Sequence, residues 1–204
     1  MRTIIVLMCC FVFSGGCHRP ARRASVPVAS QSPVLEVLAV PPKDMAPVEV
    51  RGIRFGASEQ AVREKEKAEF VDSKKLGAVN TVMYSDSLFG SRVRVAYKFL
   101  KNELYSLVYV FTNPGGCSDA KTIYGKLKSE VSDKYGAAAT KELDTQDRCL
   151  GMAEWNFRSA GRPTVVGLAL DGTQYGAELS LRYEDSTRVE AIPAAQSDVD
   201  KGKL

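Results

Sequence analysis

Alternating apolar and polar residues predict most of the strands of this chain. In RVRVAYKF, residues 92–99, the apolar side chains recur at every second position, which is the period of a half-buried strand. The next segment, ELYSLVYVF at residues 103–111, is apolar on both faces and is predicted to be a central strand. Lys101-Asn102 between them predicts a tight hairpin turn. Further strands are predicted at residues 78–84, 152–158, 164–170 and 177–183.

Two helices are predicted between these strands. The first begins after Ser58, a favourable N-cap, and its sequence SEQAVREKEKAEFV has few apolar residues, so we expect it to be largely exposed. The second begins at Ser118 and ends at Gly136. Its apolar residues are spaced four apart, which predicts one face packed on the sheet: Ile123, Leu127, Val131 and Tyr135.

The predicted order is therefore helix, three strands, helix, three strands. It defines an α+β fold of two helix-plus-antiparallel-meander units (αβββαβββ) packed as one domain at residues 51–184, with the helices on one face of the sheet. The 204 residues, 45% of them apolar, suffice for one such core and are too few for two full domains.

The N-terminus has a different pattern. Met1-Arg2 is followed by the unbroken apolar run TIIVLMCCFVF, which has the length of a signal-peptide core, so residues 1–16 are predicted to be an export signal. No other segment approaches the roughly 20 apolar residues of a membrane-spanning helix.

The segment Ser14-Gly15-Gly16-Cys17 resembles the lipobox of bacterial prolipoproteins, in which small residues precede a cysteine that is acylated before cleavage. Ser14 departs from this pattern, because the family usually has an aliphatic residue there. The resemblance implies a lipoprotein whose Cys17 carries acyl chains such as palmitate, and His18 implies sorting to the outer membrane, facing the periplasm. Ordinary cleavage, which would release the protein into the periplasm, is the alternative.

The remaining cysteines form one pair. Cleavage would remove Cys9 and Cys10 and acylation would use Cys17, so Cys117 and Cys149 are predicted to form a disulfide in an oxidising compartment. Such a bond would constrain the unfolded chain by about 3 to 4 kcal/mol. Two packed thiols are the alternative.

Two segments flank the predicted domain. Residues 17–50 contain six of the nine prolines and are predicted to be a tether between the membrane anchor and the domain. Within the tether, residues 34–40 (VLEVLAV) are unusually apolar. As an alternative to a free tether, this segment could dock on the domain as an edge strand. Residues 185–204 are polar and are predicted to be a disordered tail.

A helix followed by a meander, repeated once, is similar to the arrangement in two groups of bacterial envelope proteins: the SmpA-type lipoproteins and the tandem-repeat β-lactamase-inhibitor proteins. The residues that carry the resemblance are FGASEQAV at 55–62 and LKSEVSDKYG at 127–136. The resemblance implies a binding or inhibitory module, and no functional residue is carried over from either group.

Few residues favour catalysis. His18 is the only histidine and lies in the tether, which argues against Ser-His, Cys-His and zinc sites, and no cofactor or metal is predicted. Ser118 and Lys121 match S-x-x-K but are interpreted as a helix start, and Asp144 and Asp147 as a solvated turn. The net charge of +4 includes no basic block, so no nucleic-acid partner is expected.

We therefore expect a non-enzymatic, lipid-anchored protein of the cell envelope whose domain binds another protein or an envelope component. One candidate surface is a polar sheet face with Glu154, Arg158, Glu178 and Arg182. The other is a predicted loop at residues 84–89 with Tyr84, Asp86 and Phe89. If that loop protrudes, it favours the alternative, an inhibitor or immunity-type protein that blocks a periplasmic enzyme. A third hypothesis, an enzyme that uses carboxylates, requires a deep pocket with two close acids.

Overall fold

The computed structural model describes residues 44–45, 47–144, 148–173 and 176–202. Cys17, the predicted signal peptide, residues 34–40 of the tether and Asp147 lie outside the described residues. The strands are β1 Asp44–Met45, β2 Glu49–Val50, β3 Ile53–Arg54, β4 Glu69–Leu76, β5 Val79–Leu88, β6 Ser91–Leu100, β7 Glu103–Phe111, β8 Ala139–Asp144, β9 Arg148–Ser159, β10 Arg162–Thr173 and β11 Gly176–Asp185. The helices are α1 Glu59–Lys65, α2 Cys117–Tyr135, α3 Ser186–Glu190 and α4 Ile192–Asp200.

Nine strands form one sheet in the order β1-β9-β10-β11-β7-β6-β5-β4, and β8 also pairs with β9. The pairing of β1 with β9 is parallel, and the other pairings in this sheet are antiparallel. The pairing of β7 with β11 joins the first meander, β4 to β7, to the second, β8 to β11. The short hairpin of β2 and β3 forms a separate two-stranded sheet.

The predicted α+β class with an antiparallel sheet is confirmed. The prediction of three strands after each helix is wrong, because α1 and α2 are each followed by four. The pattern misses β4 because all eight residues of this edge strand, EFVDSKKL, are exposed and no buried face imposes an alternation.

The two predicted helix starts differ in outcome. Ser58 is the N-cap of α1, as predicted, and its hydroxyl accepts a hydrogen bond from the N–H of Ala61 at 3.2 Å. The N-cap of α2 is Gly116, so Ser118 lies within the first turn and the prediction of a cap there is wrong. Gly136 ends α2 with φ of 92°, a conformation that favours glycine.

The sheet has one covered face and one open face. We call the face that packs against α1 and α2 the inner face and the opposite face the outer face. Val62 of α1 and the predicted apolar stripe of α2 share one buried core with the inward residues of the strands. Trp155 of β9 donates a hydrogen bond from its indole Nε1 to the carbonyl oxygen of Gly136 at 2.9 Å, which ties the end of α2 to the sheet.

The C-terminal residues are helical, so the prediction of a disordered tail at 185–204 is wrong for residues 186–200. Ala195 of α4 packs against Leu100 and Tyr105 in a second, smaller cluster. Leu100 follows the inward-facing Phe99, so this cluster lies on the outer face, and the prediction that all helices share one face is also wrong. The physical reason is a narrow apolar stripe of Val189, Ile192 and Ala195, spaced three apart, which packs against Leu100 and Tyr105.

Cys117 and Cys149 are both thiols in the structure, which does not contain the predicted disulfide. The Sγ of Cys149 donates to the carbonyl oxygen of Cys117 at 3.6 Å, so the first turn of α2 lies beside β9 at this point. The structure therefore corresponds to the thiol alternative, and a disulfide under oxidising conditions stays a prediction.

A buried carboxylate connects the first hairpin, α1 and the sheet. Glu66, which follows α1, has a side chain only 1% exposed. Its oxygens accept hydrogen bonds from Nη2 and Nε of Arg51 at 2.7 and 2.9 Å, from the hydroxyl of Tyr97, and from the N–H of Ala68 at 2.8 Å. Arg51 also contacts Asp86 of β5 through Nη1 at 2.7 Å. We call these residues the Glu66 network.

The network determines the charge of Glu66. Burial alone would raise its pKa, but the hydrogen bonds from Arg51, Tyr97 and the Ala68 N–H outweigh burial and hold the pKa below its usual value. Burial and the hydrogen bond to Glu66 raise the pKa of Tyr97, so this hydroxyl stays protonated and donates. Glu66 therefore stays ionised beside Arg51, and both of its carboxylate oxygens accept hydrogen bonds.

We predict that Glu66→Gln lowers the free energy of unfolding by about 2 kcal/mol at pH 7, because Arg51 loses its buried partner. The folded pKa of Glu66 lies below that of the unfolded chain, so its contribution is present above about pH 4.3 and is lost as the pH falls through the folded pKa. Urea unfolding from pH 3 to 7 should show a weaker pH dependence in the variant. Glu64→Gln, an exposed glutamate of the same helix, is the control, and equal losses in both variants would contradict the prediction.

Candidate functional site

The outer face carries a row of exposed residues across five neighbouring strands. The strand register aligns one residue each from β6, β7, β11, β10 and β9: Arg94, Val110, Ser180, Ala169 and Met152. Val110 is 41% exposed and Met152 is 57% exposed, although both are large apolar side chains. The centre of the outer face is thus partly apolar and accessible.

Charged residues occupy the adjacent row. Arg182 of β11 lies opposite Gly167 of β10, which lies opposite Glu154 of β9. A Cβ on Gly167 would be 2.6 Å from Nε of Arg182, so the arginine side chain lies across β10 in the space that glycine leaves. Nε of Arg182 is 3.7 Å from Glu184 Oε2, and Glu154 Oε1 accepts a hydrogen bond from Asn156 at 2.8 Å. We call this row, together with the row from Arg94 to Met152, the central patch.

The central patch includes two of the four residues predicted for the polar face. Glu154 and Arg182 lie in the same row, as the prediction of a polar sheet face requires. Glu178 lies opposite Asp171 toward one end of the strands, and Arg158 lies opposite Asp44 and Pro163 toward the other. The four residues therefore share a face, and they do not form one cluster.

An open cleft of about 630 Å³ adjoins the central patch at β4 to β7. Arg92 and Arg94, two residues apart on β6, line it together with the exposed Phe70 of β4 and the Thr112 side chain. Within the described segments, neither guanidinium belongs to a salt bridge. The cleft therefore combines available positive charge with apolar surface.

The predicted loop at residues 84–89 is not a loop. Residues up to Leu88 belong to β5, and only Phe89 lies in the turn, with φ of 52°. Tyr84 is 3% exposed and packs edge-on against Tyr97 with ring centroids 5.7 Å apart. Asp86 is engaged by Arg51, as described above. The prediction of a loop is wrong for residues 84–88, because these residues continue the pairing of β5 with β6. A role of Tyr84, Asp86 and Phe89 in binding stays a prediction.

A small cavity of about 230 Å³ lies between α2 and the inner face. Three tyrosines line it: Tyr109, Tyr135 and Tyr183. The hydroxyl of Tyr135 is buried without a hydrogen-bond partner among the described residues, and its ring stacks on Phe157 with centroids 4.6 Å apart. Burial raises the pKa of Tyr183, so its hydroxyl is neutral at physiological pH. The cavity is smaller than the roughly 300 Å³ at which ligand pockets begin.

The described residues contain neither a helix that could span a membrane nor a cluster of metal ligands. No helix in them has both the length and the apolar character to cross a membrane. In the same segments, no group of three or more His, Cys, Asp or Glu side chains is arranged to hold a metal ion.

Comparisons with known proteins provide no relative: no family model, no curated protein and no solved structure matches the chain. The site must therefore be interpreted from its own geometry.

Some residues of the site can be recognised in the sequence, although they were not predicted as site residues. Arg92 and Arg94 appear in the alternation of β6 as polar positions, and two arginines at this spacing must share a face. The lack of a side chain at Gly167 becomes informative only once the register places it beside Arg182.

We predict that Gly167→Ala displaces Arg182 without unfolding the domain, because the far end of a flexible side chain can move. The Nε–Hε resonance of Arg182 should shift in a two-dimensional NMR spectrum, and the free energy of unfolding should change by less than about 1 kcal/mol. Gly176→Ala is the matched control, since an added Cβ there has no atom within 4 Å. An Arg182 resonance that is unchanged in Gly167→Ala would show that the side chain does not lie over β10.

Proposed function

We propose that this protein is a lipid-anchored protein of the bacterial cell envelope whose α+β domain binds another protein or an envelope component, without catalysis, through the outer face of its sheet. The observation that carries the proposal is the central patch. There, exposed Val110 and Met152 lie in one row, next to the charges of Arg182 and Glu154.

The composition of the central patch is that of a recognition surface. Protein interfaces combine a partly apolar centre with a polar rim and are enriched in arginine and methionine. Methionine is flexible and polarisable, so it adapts to the shape of a partner. The apolar residues of the exposed row, Val110, Ala169 and Met152, extend from β7 to β9 across four strands. At about 4.8 Å between neighbouring strands, this part of the row is roughly 14 Å long. A partner can therefore contact it with more than one side chain.

The anchoring part of the proposal comes from the N-terminal sequence. Acylation at Cys17 would attach the protein to the membrane, and His18 favours the outer membrane with the domain in the periplasm. Two or three acyl chains suffice for stable anchoring, whereas one is marginal. The predicted tether at residues 17–50 is too long at its C-terminal end, because β1 at Asp44–Met45 already pairs with β9 and Val48 is buried in the core. A tether between Cys17 and β1 would still allow the domain to reach partners at some distance from the membrane.

The inhibitor alternative rests on the resemblance of the helix-and-meander order to inhibitor modules. A protruding tip at residues 84–89 would favour it over the binding module, and this segment belongs to β5 and the turn that follows. The carboxylate-enzyme hypothesis depended on a deep pocket with two close acids, and Asp147 is outside the described residues. We therefore retain the binding module as the proposed function.

We predict that Cys17→Ala transfers the protein from the membrane fraction to the soluble fraction of bacterial cells. The change removes the sulfur that would carry the acyl chains. Fractionation followed by immunoblotting measures the distribution, and intact mass spectrometry of the wild-type protein should show the mass of the lipid. Identical distributions of wild type and variant, or an unmodified Cys17 thiol in the mature protein, would contradict the anchoring.

We predict that Met152→Glu reduces capture of the bound partner at least tenfold and leaves the melting temperature nearly unchanged. A charge would replace the more exposed of the two large apolar side chains in the patch, whereas the exposed position tolerates it in the folded chain. Proteins captured from detergent-solubilised envelope are compared by quantitative mass spectrometry. Ser129→Glu, an exposed position of α2 on the other side of the sheet, makes the same charge change as a control. Equal capture by both variants would contradict a role of the outer face.

A further inference from the structure

The strand β4 forms an open edge of the sheet. It pairs with β5 on one side, and no other strand of the described segments pairs with it. All eight of its residues are exposed, and it carries three of the five exposed large apolar side chains in the described residues: Phe70, Val71 and Leu76. The backbone N–H and C=O groups of such an edge can pair with another strand.

We infer that two copies of this chain associate through antiparallel pairing of their β4 strands, around a two-fold axis that passes between the two Ser73 residues. The inference does not depend on the anchor or on the partner of the outer face. In a two-fold arrangement, each contact of one residue with another occurs twice. Ser73 then lies opposite Ser73, and Asp72 lies opposite Lys74 of the other copy.

The side chains of Asp72 and Lys74 point to the same face of the sheet. Asp72 lies opposite Met83 and Lys74 opposite Thr81, whereas Ser73 between them lies opposite the buried Val82. Asp72 and Lys74 therefore both belong to the outer face. In the described part of the chain neither forms a salt bridge, and Asp72 Oδ1 accepts only the neighbouring N–H of Ser73 at 2.7 Å. Both charges are thus available to a second copy.

Charge favours this register over the two symmetric registers whose axes lie at Asp72 and at Lys74. An axis at Asp72 would place Asp72 opposite Asp72, and an axis at Lys74 would place Lys74 opposite Lys74. Like charges directly opposite one another destabilise a strand pair, and opposite charges stabilise it. An axis at Asp72 would also pair Glu69 with Lys75, but among these three registers only the one at Ser73 forms opposite-charge pairs without like charges facing each other at the axis. It also brings the Phe70 end of each β4 alongside the Leu76 end of the other copy.

The same residues argue against pairing with an arbitrary strand. Lysines and bulges on edge strands discourage indiscriminate pairing, and β4 has Lys74, Lys75 and an irregularity between Phe70 and Asp72. A second copy supplies the complementary sequence of charges in the correct order. Because the two-fold axis is perpendicular to the sheet, both outer faces would lie on the same side of the dimer. A partner with repeated binding sites could then contact two central patches at once.

Sedimentation equilibrium of the full-length protein in detergent-containing buffer tests the inference. We expect a monomer–dimer equilibrium that weakens as salt is raised. Lys74→Glu should weaken dimerisation at least tenfold, because both opposite-charge pairs become repulsive. The double variant Asp72→Lys/Lys74→Glu should restore dimerisation, since it exchanges the two charges. Lys126→Glu on α2 makes the same net charge change and should have no effect. A monomer at all concentrations up to roughly 100 μM in low salt would overturn the inference, as would a dimer that Lys74→Glu leaves unchanged.

Cross-linking tests the register separately. Under mild oxidation, Ser73→Cys should form a covalent dimer, because symmetric residues at the axis face each other. Lys75→Cys should not, because Lys75 would lie opposite Val71. The wild-type protein, with its native cysteines, is oxidised in parallel as the background. Equal cross-linking of the two cysteine variants would overturn the proposed register.

Discussion

The Glu66 carboxylate connects parts of the chain that are otherwise separate. It accepts hydrogen bonds from Arg51 in the first hairpin, from Tyr97 in the sheet and from the backbone just after α1. A buried carboxylate is tolerated only when such partners are present together, because each missing one leaves a desolvated charge. The network therefore ties the end of α1 to the first hairpin and to β6.

The two faces of the sheet differ in how much of their surface the helices cover. On the inner face, α1 and α2 cover the aromatic residues of β6 and β7, whereas α3 and α4 cover only one end of the outer face. Met152 therefore stays exposed on the outer face, in the row next to that of Glu154 and Arg182. Strands hold these side chains in fixed relative positions, which loops would not do as well.

The sequence predicted the elements whose side chains alternate between buried and exposed, such as β6, and the apolar stripe of α2. It failed for β4, which has no buried residue, and for α4, whose stripe consists of a few small residues. Glu66 was not predicted as a buried group, because its burial depends on Arg51 and Tyr97, which are distant along the chain. The polar face was predicted in part, since Glu154 and Arg182 alternate with inward residues, but their shared row required the register.

The pairing of β7 with β11 has a consequence for synthesis. These two strands are neighbours in the sheet, yet α2 and three further strands separate them along the chain. During translation the N-terminal part of the chain is made first, so one edge of β7 stays unpaired until β11, near the end of the domain, has been synthesised. Contacts between such distant segments slow folding and leave apolar edges exposed in the meantime. The interval before β11 arrives is therefore when the nascent protein most needs protection from aggregation.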